Sequence, residues 1–381
     1  MYMPLACNLE DAAFIKQHVN IPVFCAGRME DPDTSSEAIR SGRIDAVTIG
    51  RQLLADGEYC AKVQAGEIED IRPCIACHNG CFAISKGPDG TTGTNPVGNG
   101  HCALNPATLE EKKKALTPAA VKKKVAVIGG GIGGMEAARV AALRGHSVTL
   151  YEKSGELGGV FIAAAAPSFK EKDKMLIAWY IRQLEKLKVD IRLDSEITPE
   201  NLSSLDADEI IIATGAKCRS LRADGADREN VMNAVEYLRG YKETGENVVI
   251  VGGGLTGCEI AYDAVLKGKK PVIVELMDDI LNVPNLCAAN SNMLREILRY
   301  YRIPVYTQTK TTAITDAGVE IEGPEGKKTL PADSVVTSIG YIPGSGLAEK
   351  DGKNIHIIGD AARVGNLMNA IWQAYDVARA I

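Results

Sequence analysis

Short runs of valine, isoleucine and alanine, each stopped by glycine, punctuate this chain, and between them apolar positions recur at helical spacing. "KVAVI" (124–128) ends at three glycines, and an amphipathic stretch, another glycine and a second apolar run ending in glutamate follow. The whole of "KVAVIGGGIGGMEAARVAALRGHSVTLYEK" (124–153) aligns without a gap with "NVVIVGGGLTGCEIAYDAVLKGKKPVIVELM", 123 residues further on. The pattern predicts strand, tight turn, helix and strand, twice over. "EIIIATGA" (209–216) and "NIHIIGDAA" (354–362) read as further buried strands stopped by small-residue turns. Near the start, "NLEDAAFIKQHV" reads as a helix. "NIPVFCAGRM" and "DAVTIGRQLLAD" read as short strands ending in Gly27–Arg28 and Gly50–Arg51, with a helix in "DPDTSSEAIRSGR" between them.

Composition narrows the class. A chain of 381 residues predicts two or three domains, and 45% apolar with 24% charged residues is ordinary for a globular protein. A net charge of −6 gives no reason to expect nucleic acid or an anionic membrane as partner. The longest apolar run, "GGVFIAAAAPSF", is short and broken by proline, so no membrane span is expected. The first residues carry no basic-then-apolar signal, and a cytoplasmic location is expected.

The glycines carry the first chemistry. In the first copy Gly129 makes the turn, Gly131 lets backbone approach a pyrophosphate, and Gly134 lets helix and strand pack closely. Glu152 is placed to accept hydrogen bonds from a ribose. Gly252, Gly254, Gly257 and Glu275 repeat the set. Two such motifs imply two nucleotides with a hydride passing between them. The Glu275 carboxylate would repel a 2′-phosphate, favouring NADH over NADPH, although "KGKK" (267–270) could soften that preference. Gly158, Gly159 and Gly215 permit close approach to a large ligand.

Ten cysteines in a chain of this size do not suggest a disulfide framework, and six are scattered in ordinary contexts. The other four, Cys74, Cys77, Cys81 and Cys102, leave three readings open: structural zinc, a redox Cys-x-x-Cys pair, or a four-thiolate iron–sulfur cluster. Three close ligands and one remote one suit the cluster best. His78 and His101 read as polar neighbours, not ligands. "SKGPDGTTGTNPVGNG" (85–100) reads as a surface loop, and "EEKKKALTPAAVKKK" (110–124) as a solvated linker. Trp179 and Trp372 read as packing residues. Glycine N–H groups and arginines at Gly27–Arg28 and Gly50–Arg51 would suit a flavin phosphate at the ends of barrel strands.

From the first glycine motif onward the chain resembles the two-dinucleotide-domain flavoprotein reductases related to glutathione reductase. That likeness implies FAD at the first motif, Gly359 and Asp360 against the flavin's ribityl and phosphate region, and an NAD domain inserted into the FAD domain. The order of Gly-Arg strands, Cys-x2-Cys-x3-Cys, "CALNP", FAD motif and NAD motif resembles, across the whole chain, the Old Yellow Enzyme-like iron–sulfur flavoproteins. These include 2,4-dienoyl-CoA reductase and related amine dehydrogenases. The fold expected is α/β: the C-terminal end of a (β/α)8 barrel and an iron–sulfur segment, then two nested Rossmann-like domains. The expected bounds are 1–72 for the barrel end and 73–121 for the cluster segment. The FAD domain is expected at 122–243 with 329–381, and the NAD(P)H domain at 244–328. The resemblance implies FAD, a [4Fe–4S] cluster, NADH, and FMN where the barrel is completed. It implies reduction of an activated C=C bond in a small unsaturated substrate. A diaphorase module serving a partner subunit and an amine dehydrogenase-type enzyme are the alternatives. Two strands cannot close a barrel, so the remainder is expected in a longer chain or a partner subunit, and a homo-oligomer is compatible. The substrate acid would sit on those absent strands, and no residue here is nominated for it.

Overall fold

The computed structural model describes residues 1–82, 84–86, 92–94, 100–283, 286–344, 346–347 and 354–381. Its first large sheet is five-stranded and all parallel, in the order Ile355–Ile357, Glu209–Ile212, Lys124–Ile128, Ser147–Tyr151 and Asp190–Arg192. Strand Lys124–Ile128 lies at its centre and is covered on both faces, which is why it reads as a continuous apolar run. Val125 and Val127 face helices Ile132–Leu143, Glu171–Lys186 and Leu367–Ala380. Ala126 and Ile128 face a second layer with Ile210, Ile212 and Leu202.

The second large sheet repeats the plan in the order Val231–Asn233, Ser334–Thr337, Asn247–Val251, Lys270–Val274 and Val305–Tyr306. Val248 and Ile250 pack on its helices, while Val249 and Val251 meet a three-stranded antiparallel sheet (Lys310–Thr315, Gly318–Gly323, Gly326–Leu330). The bounds 244–328 expected for this unit leave out two of its strands. Val231–Asn233 and Ser334–Thr337 pair with each other, and the latter pairs with Asn247–Val251, so hydrogen bonding assigns both to the inserted unit. The two sheets are joined through an antiparallel crossing of Ala216–Cys218 with Tyr341–Pro343.

The leading segment forms the expected β-α-β unit. Phe24–Ala26 and Ala46–Thr48 run parallel, with helix Pro32–Arg40 between them. Asp31 caps that helix through Thr34 N (2.9 Å), and Pro32 opens it with a φ suited to a first turn. Phe14 on helix Leu9–Lys16, Ile21 after it and Phe24 at the start of the first strand are each more than three-fifths exposed, an apolar surface left uncovered. The unit is tied to helix Glu171–Lys186. Arg28 pairs with Glu171 (2.6 Å), and the buried Trp179 donates to Asp70 O (2.9 Å) with Arg72 over its ring.

Two smaller expectations change. Within the stretch expected to be a surface loop, Ile84–Lys86 pairs antiparallel with Thr92–Thr94; residues 87–91 and 95–99 lie outside the described residues. The basic run at 110–124 is not solvated throughout. Lys114 is buried, with its ammonium 4.2 Å from the Trp372 ring centroid, and its carbonyl accepts from Tyr375 (2.5 Å). A cation on an aromatic face can be buried where a bare one could not.

Candidate four-thiol centre and dinucleotide sites

Cys74, Cys77, Cys81 and Cys102 line one small cavity, together with Arg51, His78 and Gly80. The loop that carries the first three turns sharply: Ala76 (φ 54°) and His78 (φ 60°) both adopt left-handed backbone, a conformation that each holds at roughly 1–3 kcal/mol. Gly80 lets the loop close on the segment that carries the fourth cysteine, since a Cβ there would lie 2.8 Å from His101 O. Backbone N–H groups of Ala76, Asn79 and Leu104 point at the sulfurs of Cys74, Cys77 and Cys102 respectively. Donors aimed at sulfur stabilise thiolate.

Burial pushes the Cys74, Cys77 and Cys102 thiols up. It pushes Cys81 up to about 12, with neighbouring Cys74 and Cys102 adding to the shift. Four thiolates would repel one another here unless a cationic centre compensates them. Among the described residues, no three His, Cys, Asp or Glu groups converge to hold a single ion. Four thiols lining one cavity are the kind of donor set that an iron–sulfur cluster takes.

Both histidines are engaged. His78 accepts from Arg51 through Nε2, and its Nδ1 lies 3.1 Å from Asn290 Oδ1. Burial first, then the Arg51 charge, lowers its pKa to about 4, so the ring is neutral near pH 7. His101 Nδ1 bonds Thr108 O (3.1 Å), and its ring meets Trp372 edge-on. Trp372 in turn donates to Cys102 O (3.0 Å).

The two Gly-Arg pairs part company. Gly27 (φ 113°) turns under Asn8, and Arg28 is buried against Glu171 and Met3 O. Gly50 precedes helix Arg51–Ala55, and Arg51 faces the thiol cavity. Both arginines lie close enough to the Met1 amino group to lower its pKa.

At the first glycine turn, Gly129 has φ 107°, and a Cβ there would lie 2.4 Å from Ala213 O. A Cβ on Gly134 would lie 1.9 Å from Gly129 O, whereas one on Gly131 would meet open space. Turn and close packing thus fall to Gly129 and Gly134 as their spacing predicts, and Gly131 is left facing open space. Gly158 N bonds Gly130 O (2.8 Å), and Gly159 (φ 56°) backs onto Gly131. Buried Glu152 accepts from Gly130 N (2.7 Å) and from Ser154 N and Oγ (2.8 Å each), so the carboxylate steadies the turn. Gly215 (φ 72°) accepts from Gly344 N at the crossing between sheets. Gly359 N donates to Gln373 Oε1 (2.8 Å), and Asp360 Oδ1 accepts from Gly365 N (2.9 Å).

The second turn has the same geometry. Gly252 (φ 109°) packs under Ser338 O, a Cβ on Gly257 would lie 1.9 Å from Gly252 O, and Gly254 is nearly open. Glu275 accepts from Gly253 N (2.5 Å) and Met277 N (2.7 Å). The lysines of "KGKK" do not reach it. Lys267 pairs with Asp263 and Lys270 with Glu246, at the other end of a strand roughly 16 Å long. Ser154, Gln373 and Asn290 escaped sequence reasoning, because each acts on a partner that no local motif marks.

Two glycine turns of one geometry, each steadied by a carboxylate and set in nested parallel sheets, define a reductase with two dinucleotide-binding units. Residues 123–378 match the pyridine nucleotide-disulphide oxidoreductase family, and the chain belongs to it. Membership implies FAD and NAD(H). The chain is 40% identical over its full length to a cinnamate reductase from Clostridium sporogenes, covering 56% of that protein. It is 34% identical over 96% of its length to a bilirubin reductase from Mediterraneibacter gnavus, again covering 56% of the relative. Among solved structures, a 2-naphthoyl-CoA reductase complex matches with TM-score 0.88 and 31% identity, over 99% of this chain and 57% of that one. Histamine dehydrogenase from Rhizobium sp. 4-9 (TM-score 0.81, 21% identity, 100% of this chain, 58% of that one) shares the fold. These matches bear out the likeness to the Old Yellow Enzyme-like iron–sulfur flavoproteins, to whose C-terminal portion the chain corresponds. It spans about half the length of the curated relatives it matches. Among the described residues, no helix is long and apolar enough to cross a membrane.

Proposed function

We propose that this chain is the electron-delivery half of an NADH-dependent iron–sulfur flavoenzyme that reduces a C=C bond conjugated to a carbonyl or aryl group. The observation that carries the reading is the thiol cavity. It lies where the leading segment (Arg51), the first sheet's elements (Trp372) and the inserted unit (Asn290) all meet. Bound, the groups would supply hydride from NADH to FAD, single electrons through a [4Fe–4S] cluster, and reduction of the alkene by FMN in a completed barrel. Cys74, Cys77, Cys81 and Cys102 would hold the cluster. The first glycine turn with Gly158, Gly159, Gly215, Gly359 and Asp360 would hold FAD, and the second turn NADH. Gly27, Arg28, Gly50 and Arg51 would serve the FMN phosphate. The conjugated substrates in the relatives' names support the substrate class, and reduced, unpaired cysteines suit the cytoplasm.

Releasing cofactors from anaerobically purified protein and separating the flavins tests this. FAD with FMN, iron and acid-labile sulfide supports the reading. FAD without iron or sulfide overturns the cluster assignment.

The Glu275 carboxylate supports NADH as donor. Glu275→Gln keeps the hydrogen bond to one backbone N–H and removes the charge. Two like charges about 4 Å apart repel by roughly 1–4 kcal/mol, so the ratio of kcat/KM for NADH to that for NADPH is expected to fall about tenfold or more. An unchanged ratio in reduction of an artificial acceptor would place the discrimination elsewhere.

A further inference from the structure

Asn290 stands on helix Ala288–Tyr300 of the inserted nucleotide unit, 213 residues from Cys77 in sequence, yet its side chain is only 8% exposed and is spent on the thiol loop. Its Nδ2 donates to Ala76 O (3.2 Å) and Cys77 O (3.1 Å), and its Oδ1 meets His78 Nδ1 (3.1 Å). One amide thus binds three consecutive residues, two of them in left-handed backbone. That backbone aims the Ala76 and Asn79 N–H groups at the sulfurs of Cys74 and Cys77. Beside it, Cys287 Sγ donates to Phe82 O (3.6 Å), just past Cys81.

The same helix is braced against the second glycine turn. Arg295 forks onto Asp279 (2.7 and 2.9 Å) and reaches Ile280 O, while Leu281 N donates to Gly253 O (2.7 Å). Ile280 lies against Gly253, so a dinucleotide seated on that turn presses on the segment that Arg295 holds. Contacts run from Gly253 through Ile280 to Arg295, and the helix Ala288–Tyr300 carries on from Arg295 to Asn290 and the cysteine loop.

We infer that Asn290 is a positioning residue for the four-thiol centre, through which nucleotide binding at the inserted unit alters the hydrogen bonding, and so the reduction potential, of that centre. This rests on the proposal that the thiols hold an iron–sulfur cluster. Asn290 bonds two carbonyls and the His78 ring, and acts by holding backbone. Donors aimed at sulfur stabilise the reduced, more negative state, so loosening the loop lowers the potential.

The test uses the anaerobically purified full-length protein, with iron and sulfide assayed first. Redox titration followed by EPR, with and without NAD⁺, is then run on wild type, Asn290→Leu and Arg295→Ala. Wild type is expected to shift its cluster potential on NAD⁺ addition. Asn290→Leu, similar in size, is expected to show a lower potential and an altered EPR line shape. It should also lose iron to a chelator roughly tenfold faster, as loss of buried hydrogen bonds implies. Arg295→Ala is expected to keep the wild-type potential without nucleotide and to lose the NAD⁺ response. Should Asn290→Leu hold no iron at all, Arg295→Ala still decides: retention of the NAD⁺ shift overturns the inference. A wild-type potential and spectrum in Asn290→Leu overturn it as well. Wild type without iron or sulfide would instead overturn the cluster reading beneath it.

Discussion

Cys77→Ser is expected to strip iron from the protein while leaving FAD bound and bleached by NADH. The side chain changes by one atom, so packing is nearly conserved and the folded chain should survive. Serine's hydroxyl, however, stays protonated at neutral pH and cannot replace the thiolate as an anionic ligand. Cys77 lies in the middle of the proposed ligand set: Asn79 N–H points at its sulfur, and the other three cysteines would repel its charge. Altering groups that merely support metal ligands weakens binding or activity some 10–100-fold, so removing a ligand should lower onward electron delivery by at least about a hundredfold. Iron analysis, visible absorbance and single-turnover flavin bleaching separate the two halves of the expectation. Full iron content in the variant would remove Cys77 from the ligand set. Loss of FAD together with iron would mean that the loop props up the first sheet instead of holding a separate centre.

The parts of this molecule legible from sequence are those whose chemistry is local. Gly129 and Gly134 were legible because a turn and a helix contact each demand a missing Cβ at a fixed offset, and the structure leaves open space at Gly131 between them. The strands Lys124–Ile128 and Asn247–Val251 were legible because parallel strands covered on both faces need unbroken apolar runs. Relations made across the fold were not legible. "DSVVTS" looks the same whether it joins the first sheet or the second, and only its pairing with Val231–Asn233 and Asn247–Val251 decides. Arg51 follows a glycine just as Arg28 does, but one closes the thiol cavity and the other an ion pair with Glu171. Lys114 sits in a charge run that reads as solvated, because Trp372, which receives it, lies 258 residues away. Asn290 carries no motif at all.

The repeat offers a paired experiment, in which Gly257→Ala is expected to abolish reduction by NADH while FAD stays bound, and Gly134→Ala to expel FAD itself. In both turns the added methyl would lie 1.9 Å from a carbonyl oxygen of the preceding strand's end, Gly252 O or Gly129 O. That oxygen belongs to backbone, so no flexible side chain can give way, and helix must part from strand by more than an ångström. Overpacking of a well-packed interior is destabilising by about 1–3 kcal/mol, occasionally more. Here it also displaces the helix N-terminus whose free N–H groups a pyrophosphate requires. The two helices stand in separate cores, Ile132–Leu143 with Leu176 and Ile371, and Leu255–Leu266 with Leu294 and Leu298. Damage to one should therefore spare the other. For Gly257→Ala, stopped-flow bleaching by NADH is expected to slow at least about a hundredfold, which is roughly 3 kcal/mol of lost binding or positioning, with dithionite still reducing the flavin fully. For Gly134→Ala, flavin content after gel filtration is the readout. If Gly257→Ala released the flavin while Gly134→Ala retained it, the two sites would have to be exchanged. If either variant bound its nucleotide as tightly as wild type, close helix–strand packing would not be what those glycines secure.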